Sequence, residues 1–320
     1  MQGFESGGRS RAGGKFWSVV LAGGQGVRLK PFVKQAFGLE SPKQYVPFMG
    51  RRSMFQHTLD RAAMFVPDHR ILTVADVRHA EVLSAQLAGR RLGAVVYQPL
   101  NKETAAGIML PLAHILALDP EAVVAFLPSD HFILEETRFM RHVAEAAAAA
   151  AGLTEGIVLL GVRPSGPETE YGWIEPGAQL RSPGLRGLSG VRRFIEKPGA
   201  EGALRSYKKG HLWNSFVTVA RAEALFRLVT RRLPALGRAF SRIRSVVGTT
   251  RYEGVLGAEY AALAPANLSK DVFEAVPEAM SLLPLEGVTW SDWGSAARIA
   301  ETYAALRRRP PWEAACESPA

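Results

Sequence analysis

The chain has 320 residues, of which 47% are hydrophobic and 22% are charged, and its formal net charge at pH 7 is +9. This composition is that of a soluble globular protein, and the length lies near the upper limit of roughly 250–300 residues for one hydrophobic core. No apolar run approaches the ~20 residues of a membrane span, and no basic stretch is interleaved with aromatic residues as in nucleic-acid-binding elements, so we expect neither a membrane nor a nucleic acid as partner.

The two ends of the chain have a polar composition. Residues 1–15 are rich in Gly, Ser and Arg and predict a disordered tail, while residues 307–320 predict a second tail. The single cysteine, Cys316, lies in this second tail, so an intramolecular disulfide or a cysteine metal cluster cannot form. A lone cysteine fits a reducing compartment, and we expect a cytoplasmic protein.

Residues 16–306 predict one domain, whose first half covers about residues 16–165. Short apolar runs typical of buried strands alternate there with helical stretches. The predicted strands are 16–21, 70–75, 94–97, 122–127 and 157–162, and the predicted helices are 104–118 and 137–151. Pro111 should kink or split the first of these helices. Strands that alternate with helices predict an α/β fold with a doubly wound, mostly parallel sheet.

The second half, about residues 166–306, has more turns between its strands. The predicted strands are 172–176, 191–195, 212–219 and 281–285, with helices over 221–233 and 295–308. This pattern predicts a mixed β half that completes a second pocket. Because ligands of open α/β sheets bind beyond the carboxyl ends of the strands, we expect the functional residues just after the strands.

A glycine-rich loop follows the first predicted strand, with the sequence LAGGQGVRLKP over residues 21–31. Gly23, Gly24 and Gly26 leave a turn without side chains, so that backbone N–H groups can close on an anion, and Arg28 and Lys30 stand just beyond them. The spacing fits neither a dinucleotide fingerprint nor a Walker loop. It predicts a site for a phosphate chain; an ordinary strand-to-helix turn is the alternative.

Two acids occupy positions suited to a metal ion near phosphates. Asp130 follows the strand over 122–127 within Pro128-Ser129-Asp130-His131, and Asp292 precedes the last predicted helix. Mg²⁺ usually takes one or two carboxylates together with substrate phosphates and water. Either acid could instead be a turn or helix-cap residue. We expect His131 to be a packed histidine and not a metal ligand.

Four further residues stand at strand ends in the second half. Lys197 can reach a phosphate as a point charge, and Glu196 can accept hydrogen bonds from hydroxyl groups. The amide of Asn214 could read a sugar hydroxyl, and the N–H of Gly172 could face a ligand. A surface ion pair, a buried satisfied amide and a strand bulge are the respective alternatives.

Seven motifs, in this order, closely resemble those of the sugar-phosphate nucleotidyltransferases, and within them the mannose-1-phosphate guanylyltransferases. The resemblance covers roughly residues 16–306. The motifs are LAGGQGVRLKP at 21–31, SPKQ at 41–44, LPSDHF at 127–132, PETEYGWIE at 167–175, FIEKP at 194–198, LWNS at 212–215 and WSDWGS at 290–295.

The resemblance implies a Rossmann-like nucleotidyltransferase fold that binds a nucleoside triphosphate, GTP by analogy, and a sugar 1-phosphate, by analogy mannose 1-phosphate. It implies nucleotide contacts, catalytic residues, sugar-phosphate contacts and ligands for Mg²⁺ as cofactor. The implied nucleotide-binding residues are Leu21, Ala22, Gly23, Gly24, Gly26, Arg28, Lys43 and Thr104. The implied catalytic residues are Arg28, Lys43, Asp130 and Lys197, the sugar-phosphate residues are Gly172, Glu196, Lys197 and Asn214, and the metal ligands are Asp130 and Asp292. A homodimer is the assembly we keep as a candidate.

The sequence departs from the family's pattern at several positions. Val27 stands where threonine is usual, and Glu170 replaces a frequent glycine. The family's Arg-Asn-Thr-Ala-Pro segment is here Lys-Glu-Thr-Ala-Ala over 102–106. These changes leave open another base or sugar, and also a regulator that binds a nucleotide-sugar without turnover.

Overall fold

The computed structural model describes residues 15–87, 89–181 and 187–314. Residues 1–14 of the predicted first tail, and Cys316, lie outside the described residues. The predicted division into two halves near residue 165 stays a prediction, because one continuous sheet runs through both.

Nine strands form this sheet, and two short strands form a second ladder. The nine are β1 Phe16–Ala22, β2 Ile71–Asp76, β3 Ala94–Gln98, β4 Val123–Pro128, β6 Ile157–Val162, β7 Trp173–Gln179, β8 Ser189–Ile195, β9 Leu212–Arg221 and β10 Ser281–Leu285. The ladder pairs β5 Phe132–Ile133 with β11 Trp290–Ser291.

The order of strands across the sheet is β3-β2-β1-β4-β9-β6-β10-β8-β7, with an additional pairing of β7 with β9. The first four strands are parallel to one another, as is the pair β6–β10. The pairings of β9 with β4, β6 and β7, and those of β8 with β7 and β10, are antiparallel. The sheet as a whole is therefore mixed, and only its first part matches the predicted parallel arrangement.

Eleven α-helices occur within the described residues. They are α1 Lys30–Phe37, α2 Met54–Phe65, α3 Ala80–Gln86, α4 Glu103–Leu118, α5 Glu136–Gly152, α6 Ala200–Lys208, α7 Ala222–Arg232, α8 Pro234–Val246, α9 Tyr252–Ala262, α10 Ala296–Ala305 and α11 Pro311–Ala314. Helices α8 and α9 lie in a stretch for which no element was predicted.

Pro111 does not split α4, which runs unbroken from Glu103 to Leu118. A proline inside a helix removes one backbone hydrogen bond and costs about 3 kcal/mol. Pro111 is buried together with its neighbours Leu110 and Leu112. Burial of apolar side chains nearly all around this helix offsets the cost, and the prediction of a split was wrong.

Helices cover both faces of the sheet because successive strand residues point to opposite sides. On β4, Val124 and Phe126 join one apolar cluster, in which α4, α7, α8 and α9 pack. Their neighbours Val123 and Ala125 join the other cluster, with α2 and α5. No helix in the described parts of the chain is long and apolar enough to cross a bilayer.

A third apolar cluster packs helix α11 against helices α1 and α10. Trp312 of α11 packs its ring on Phe32, Phe37 and Tyr303, at centroid distances of 5.2, 5.6 and 5.3 Å. The described part of the predicted second tail, up to residue 314, is therefore attached to the domain.

Candidate active site

A cavity of about 440 Å³ opens where the carboxyl ends of β1, β3 and β4 face the ends of β7, β8 and β9. It collects ten of the predicted site residues from both parts of the sheet. These ten are Leu21, Gly23, Gly24, Thr104, Asp130, Gly172, Glu196, Lys197, Asn214 and Asp292.

Gln44 fixes the glycine loop at one wall of the cavity. Its Nε2 donates to the backbone oxygens of Ala22 and Gly24, at 3.1 and 2.7 Å. A Cβ on Gly23 would lie 2.8 Å from Nε2 of Gln98, so the end of that side chain would have to move. Gly24 has open space around it. The loop thus offers backbone without side chains to a ligand.

Two of the predicted nucleotide-binding residues, Ala22 and Gly26, belong to this loop but do not line the cavity. The carbonyl oxygen of Ala22 accepts from Gln44 and also from the hydroxyl of Tyr45, at 3.3 Å. Gly26 has a φ of 58°, and a Cβ there would lie 3.0 Å from the backbone nitrogen of Lys43. Gly26 therefore lets the loop pack closely on the segment that contains Lys43.

Arg28 lies at the rim of the cavity, in a turn over residues Val27–Leu29. Its Nη1 donates to Oε2 of Glu170 at 2.5 Å, and both side chains are exposed. Glu170 itself lines the cavity. The predicted phosphate-binding cation is therefore paired with an acid from the loop that precedes β7.

Lys43 lies beneath the cavity and joins the two predicted metal ligands. Its buried Nζ contacts Oδ2 of Asp130 at 3.1 Å, and it donates to the backbone oxygens of Asp292 at 2.5 Å and Trp293 at 3.3 Å. The carboxylate of Asp130 and the backbone of Asp292, 162 positions apart in sequence, thus both contact one ammonium group.

Asp130 keeps 35% of its side-chain surface exposed, enough to meet a ligand. Burial acts to raise the pKa of its carboxyl, but the charges of Lys43 and His131 outweigh it and the pKa is lowered. His131 is buried, with its ring edge-on to Trp290 and its Nδ1 accepting from Nε1 of Trp290 at 3.3 Å. Burial lowers the pKa of His131, and its ring is packed, as the sequence predicts.

The carboxylate of Asp292 is held by three groups. Oδ1 accepts from the hydroxyl of Tyr171 at 2.7 Å, from the backbone N–H of Gly294 at 2.9 Å and from Nη1 of Arg298 at 3.0 Å. Oδ2 lies 3.2 Å from the same Nη1. Arg298 also pairs with Glu168, at 2.6 Å.

Strand register brings three predicted sugar-binding residues together. Trp173 of β7 pairs with Ile195 of β8 and with Trp213 of β9, so the next residues along, Gly172, Glu196 and Asn214, are neighbours. A Cβ on Gly172 would lie 2.9 Å from Oε2 of Glu196 and 3.3 Å from Cβ of Asn214. The backbone N–H of Asn214 donates to the oxygen of Gly172 at 2.8 Å.

Glu196 and Lys197 form the end of this wall. Burial raises the pKa of the Glu196 carboxyl, against the opposing charge of Lys197. Lys197 has a φ of 44°, in the left-handed region that a non-glycine residue rarely adopts. A strained backbone at a cavity wall is a common mark of a functional site.

The start of α4 and the residues just before it form the remaining wall. This segment contains the departure from the family's pattern. Glu103 has a φ of 66°, and its backbone N–H donates to Oδ1 of Asn101 at 2.9 Å. Oγ1 of Thr104 accepts from the backbone N–H of Leu268 at 2.8 Å. Leu268 begins a π-helical turn, which often occurs at functional sites.

The cavity offers two carboxylates to a divalent cation, and a bound phosphate chain would add further oxygen ligands. Within the described residues, no group of three or more His, Cys, Asp or Glu side chains is arranged to hold a metal ion. Asp130 and Asp292 supply two carboxylates, and Mg²⁺ is typically held by one or two carboxylates plus substrate phosphates. The residues present therefore fit a cation shared with a phosphate chain.

A model of the nucleotidyl transferase family matches residues 17–308. The chain belongs to the nucleotidyl transferase family. The same residues contain both walls of the cavity and both acids.

Several family members and solved structures are similar to this chain. Xanthan biosynthesis protein XanB of Xanthomonas campestris is 34% identical over 69% of the chain and 45% of its own length. A mannose-1-phosphate guanylyltransferase of Sinorhizobium fredii is 28% identical over 84% of the chain and 48% of its own length. The chain thus spans about half the length of these curated relatives.

A crystal structure described as mannose-1-phosphate geranyltransferase from Thermus thermophilus superimposes with a TM-score of 0.74 and 29% identity, covering 89% of the chain and 79% of that protein. A glucose-1-phosphate thymidylyltransferase structure from Bacillus anthracis matches with a TM-score of 0.54 at 16% identity. The second likeness concerns the fold alone.

Sequence reasoning missed three residues of the candidate site. Gln98 ends β3 and lines the cavity; the predicted strand stopped one residue short of it, and the rule that ligands meet strand ends would have found it. The hydroxyl of Tyr171 has a partner, Asp292, that is visible only in three dimensions. Arg298 lies inside a helix, where no local pattern marks it.

Proposed function

We propose that the protein transfers a nucleotidyl group from a nucleoside triphosphate to a sugar 1-phosphate and releases pyrophosphate. The observation behind this is that Lys43 joins Asp130 to the Asp292 segment in a cavity whose opposite wall is built from Gly172, Glu196 and Asn214. One wall suits a metal-bound phosphate chain, and the other offers hydrogen-bonding groups for a sugar.

GTP and mannose 1-phosphate are the substrates that we infer first. The inference rests on the motif order and on the names of relatives such as the Sinorhizobium fredii guanylyltransferase. Glu103 stands where the family's pattern has asparagine, so another base or sugar is the alternative. Pyrophosphate release measured with each of four nucleoside triphosphates would decide the base.

The chemistry requires alignment and positive charge. An oxygen of the sugar 1-phosphate attacks the α-phosphorus of the triphosphate in line, the bond from this phosphorus to the bridging oxygen breaks, and pyrophosphate leaves with the electron pair. Arg28 and Lys43 would neutralise the triphosphate, and Lys197 the sugar phosphate. No general base is needed, since the attacking phosphate is already ionised.

Asp130 and Asp292 would hold Mg²⁺ together with the phosphates. The ion, when bound, neutralises charge on the phosphate oxygens. The role of Lys43 is to keep both acids at the same place in the cavity. We also propose that the protein is cytoplasmic. We further propose that it forms a homodimer, which measurement of its size in solution would test.

The Asp130→Asn variant tests this function. We expect turnover of mannose 1-phosphate with GTP to fall to background while circular dichroism and thermal unfolding remain native, because the amide cannot replace the charge of the carboxylate. Asp60→Asn is the matched control, as Asp60 pairs with Arg52 and Arg90 away from the cavity. Native turnover in Asp130→Asn would show that the carboxylate of Asp130 is not required for the reaction.

The ion pairs at the site favour a second candidate, a nucleotide-sugar-binding regulator. Arg28 is paired with Glu170 and Lys43 with Asp130, so two cations proposed for phosphate already have acidic partners. A thermal shift with nucleotide-sugars, combined with no pyrophosphate release from any triphosphate and sugar phosphate, would support the regulator over the enzyme.

A further inference from the structure

Arg298 connects the predicted metal ligand Asp292 to a second acid. Its Nη1 lies 3.0 and 3.2 Å from the two carboxylate oxygens of Asp292, and its Nη2 lies 2.6 Å from Oε2 of Glu168. The guanidinium carbon lies 4.6 Å from the ring centroid of Tyr171. Arg298 keeps only 16% of its side-chain surface exposed, so these contacts are much better shielded from solvent than the rim pair of Arg28 and Glu170.

The two oxygens of Asp292 differ in how many donors they meet. Oδ1 accepts from Tyr171, Gly294 and Arg298. Oδ2 accepts from Arg298. A carboxylate has about four acceptor sites over its two oxygens. The acceptor capacity that remains is therefore mainly on Oδ2, next to the guanidinium.

We propose that Arg298 is a positioning residue that competes with a divalent cation for Asp292, and that Glu168 retains Arg298 when the cation displaces it. This inference rests on the metal site of the proposed function. Asp292 becomes available to the cation to the extent that Arg298 withdraws toward Glu168.

The argument is electrostatic. A divalent cation at Oδ2 of Asp292 would stand beside the positive guanidinium, and like charges at such close range repel each other. Arg298 therefore lowers the affinity of Asp292 for the cation. Glu168 acts in the opposite direction, because it offers Arg298 a second partner.

Direct binding of Mn²⁺, measured by the electron paramagnetic resonance signal of the free ion, tests the proposal without turnover. We expect Arg298→Met to bind Mn²⁺ about tenfold more tightly than the native chain, since the repulsion is gone. We expect Glu168→Gln to bind about threefold more weakly, since Arg298 then has Asp292 as its remaining acidic partner in this cluster. Loosening of the fold would weaken binding in both variants, so opposite signs exclude that explanation.

One mutant background and two further variants complete the experiment. In an Asp292→Asn background, neither substitution should change Mn²⁺ affinity. Arg163→Met, at an exposed pair with Glu286, removes the same charge elsewhere and should leave the affinity unchanged. Arg298→Lys keeps the charge but cannot contact both acids through one planar group, so it should fall between native and Arg298→Met.

The possible results separate competition by Arg298 from the metal site of the proposed function. If the native chain and an Asp130→Asn/Asp292→Asn double variant bind Mn²⁺ equally, the metal site of the proposed function is wrong. If Asp292→Asn weakens binding but Arg298→Met does not strengthen it, competition by Arg298 is wrong while the metal site stands. If Arg298→Met does not fold, the Glu168→Gln and Arg298→Lys affinities decide.

Discussion

Arg28 donates to Glu170 across the rim of the cavity, at 2.5 Å, and so joins the glycine loop to the loop before β7. The family's pattern has glycine more often than glutamate at the second position. In this chain the carboxylate of Glu170 is therefore already paired with Arg28, the cation proposed to bind the triphosphate.

Glu170→Gln should lower the KM for the nucleoside triphosphate by up to about fivefold, because exposed ion pairs contribute about 0.2–1 kcal/mol. The measurement is initial rate against triphosphate concentration at low salt, where the effect is largest. Glu40→Gln changes the acid of another exposed pair, that with Lys34, and should leave the KM as it is. An unchanged KM in Glu170→Gln would show that the pair does not compete with substrate.

Gly172→Ala should raise the KM for the sugar phosphate by about tenfold with little effect on that for the triphosphate. The added Cβ would lie 2.9 Å from Glu196 and 3.1 Å from the ring of Phe194, so the sugar wall must move, and small misplacements at a site are costly. Gly166→Ala lies earlier in the same loop in open space and should be kinetically silent. Equal changes in both KM values would contradict a sugar-specific wall.

Lys43→Met should reduce kcat by about 10²–10³, the usual loss when one preorganised charged group is removed from a site. Asp130 would lose the cation that lowers its pKa, and the Asp292 segment would lose its donor. Single-turnover rates at saturating substrates would measure the effect. Lys34→Met, at the surface, serves as control; a loss confined to KM would mean that Lys43 binds substrate without acting on the transition state.

His114 should make the free energy of unfolding depend on pH. Burial lowers its pKa to about 4, and its Nε2 lies 2.7 Å from the hydroxyl of Tyr252. The unfolded chain takes up a proton on this histidine below a pH of about 6.5 and the folded chain only near pH 4, so stability is lost as pH falls through this window.

The loss attributable to His114 between pH 7 and pH 5 is about 2 kcal/mol. His114→Gln should therefore reduce the difference in urea-unfolding free energy between these pH values by about that amount. The same substitution at His69, which is exposed, should leave the difference as it is in the native chain. A pH dependence retained in full by His114→Gln would contradict a neutral His114 in the folded state.

Local patterns predicted the parts of the fold that are locally determined. The buried runs became β1, β2, β4 and β6 because apolar strands buried on both faces have a distinctive composition. Helix α8 does carry an apolar stripe at helical spacing, with Leu236, Phe240 and Ile243 buried, and prediction from the sequence overlooked it. The antiparallel insertion of β9 depends on contacts between distant segments, which no local pattern encodes.

The candidate site divides in the same way. Asp130 and Gly172 follow or precede strands, and strand ends are readable in the sequence. The pairings of Arg28 with Glu170 and of Arg298 with Asp292 join residues from loops and a helix, so the sequence showed the residue types and not their partners.

The position of β9 has a consequence for how the chain reaches its native state. This strand lies between β4 and β6, although it follows both by many residues. During synthesis, β4 and β6 therefore emerge from the ribosome with hydrogen-bonding edges that stay unpaired until residue 221 is made. A chain cut near residue 165 would expose those edges permanently, and we expect such a fragment to aggregate and not to fold as an independent unit.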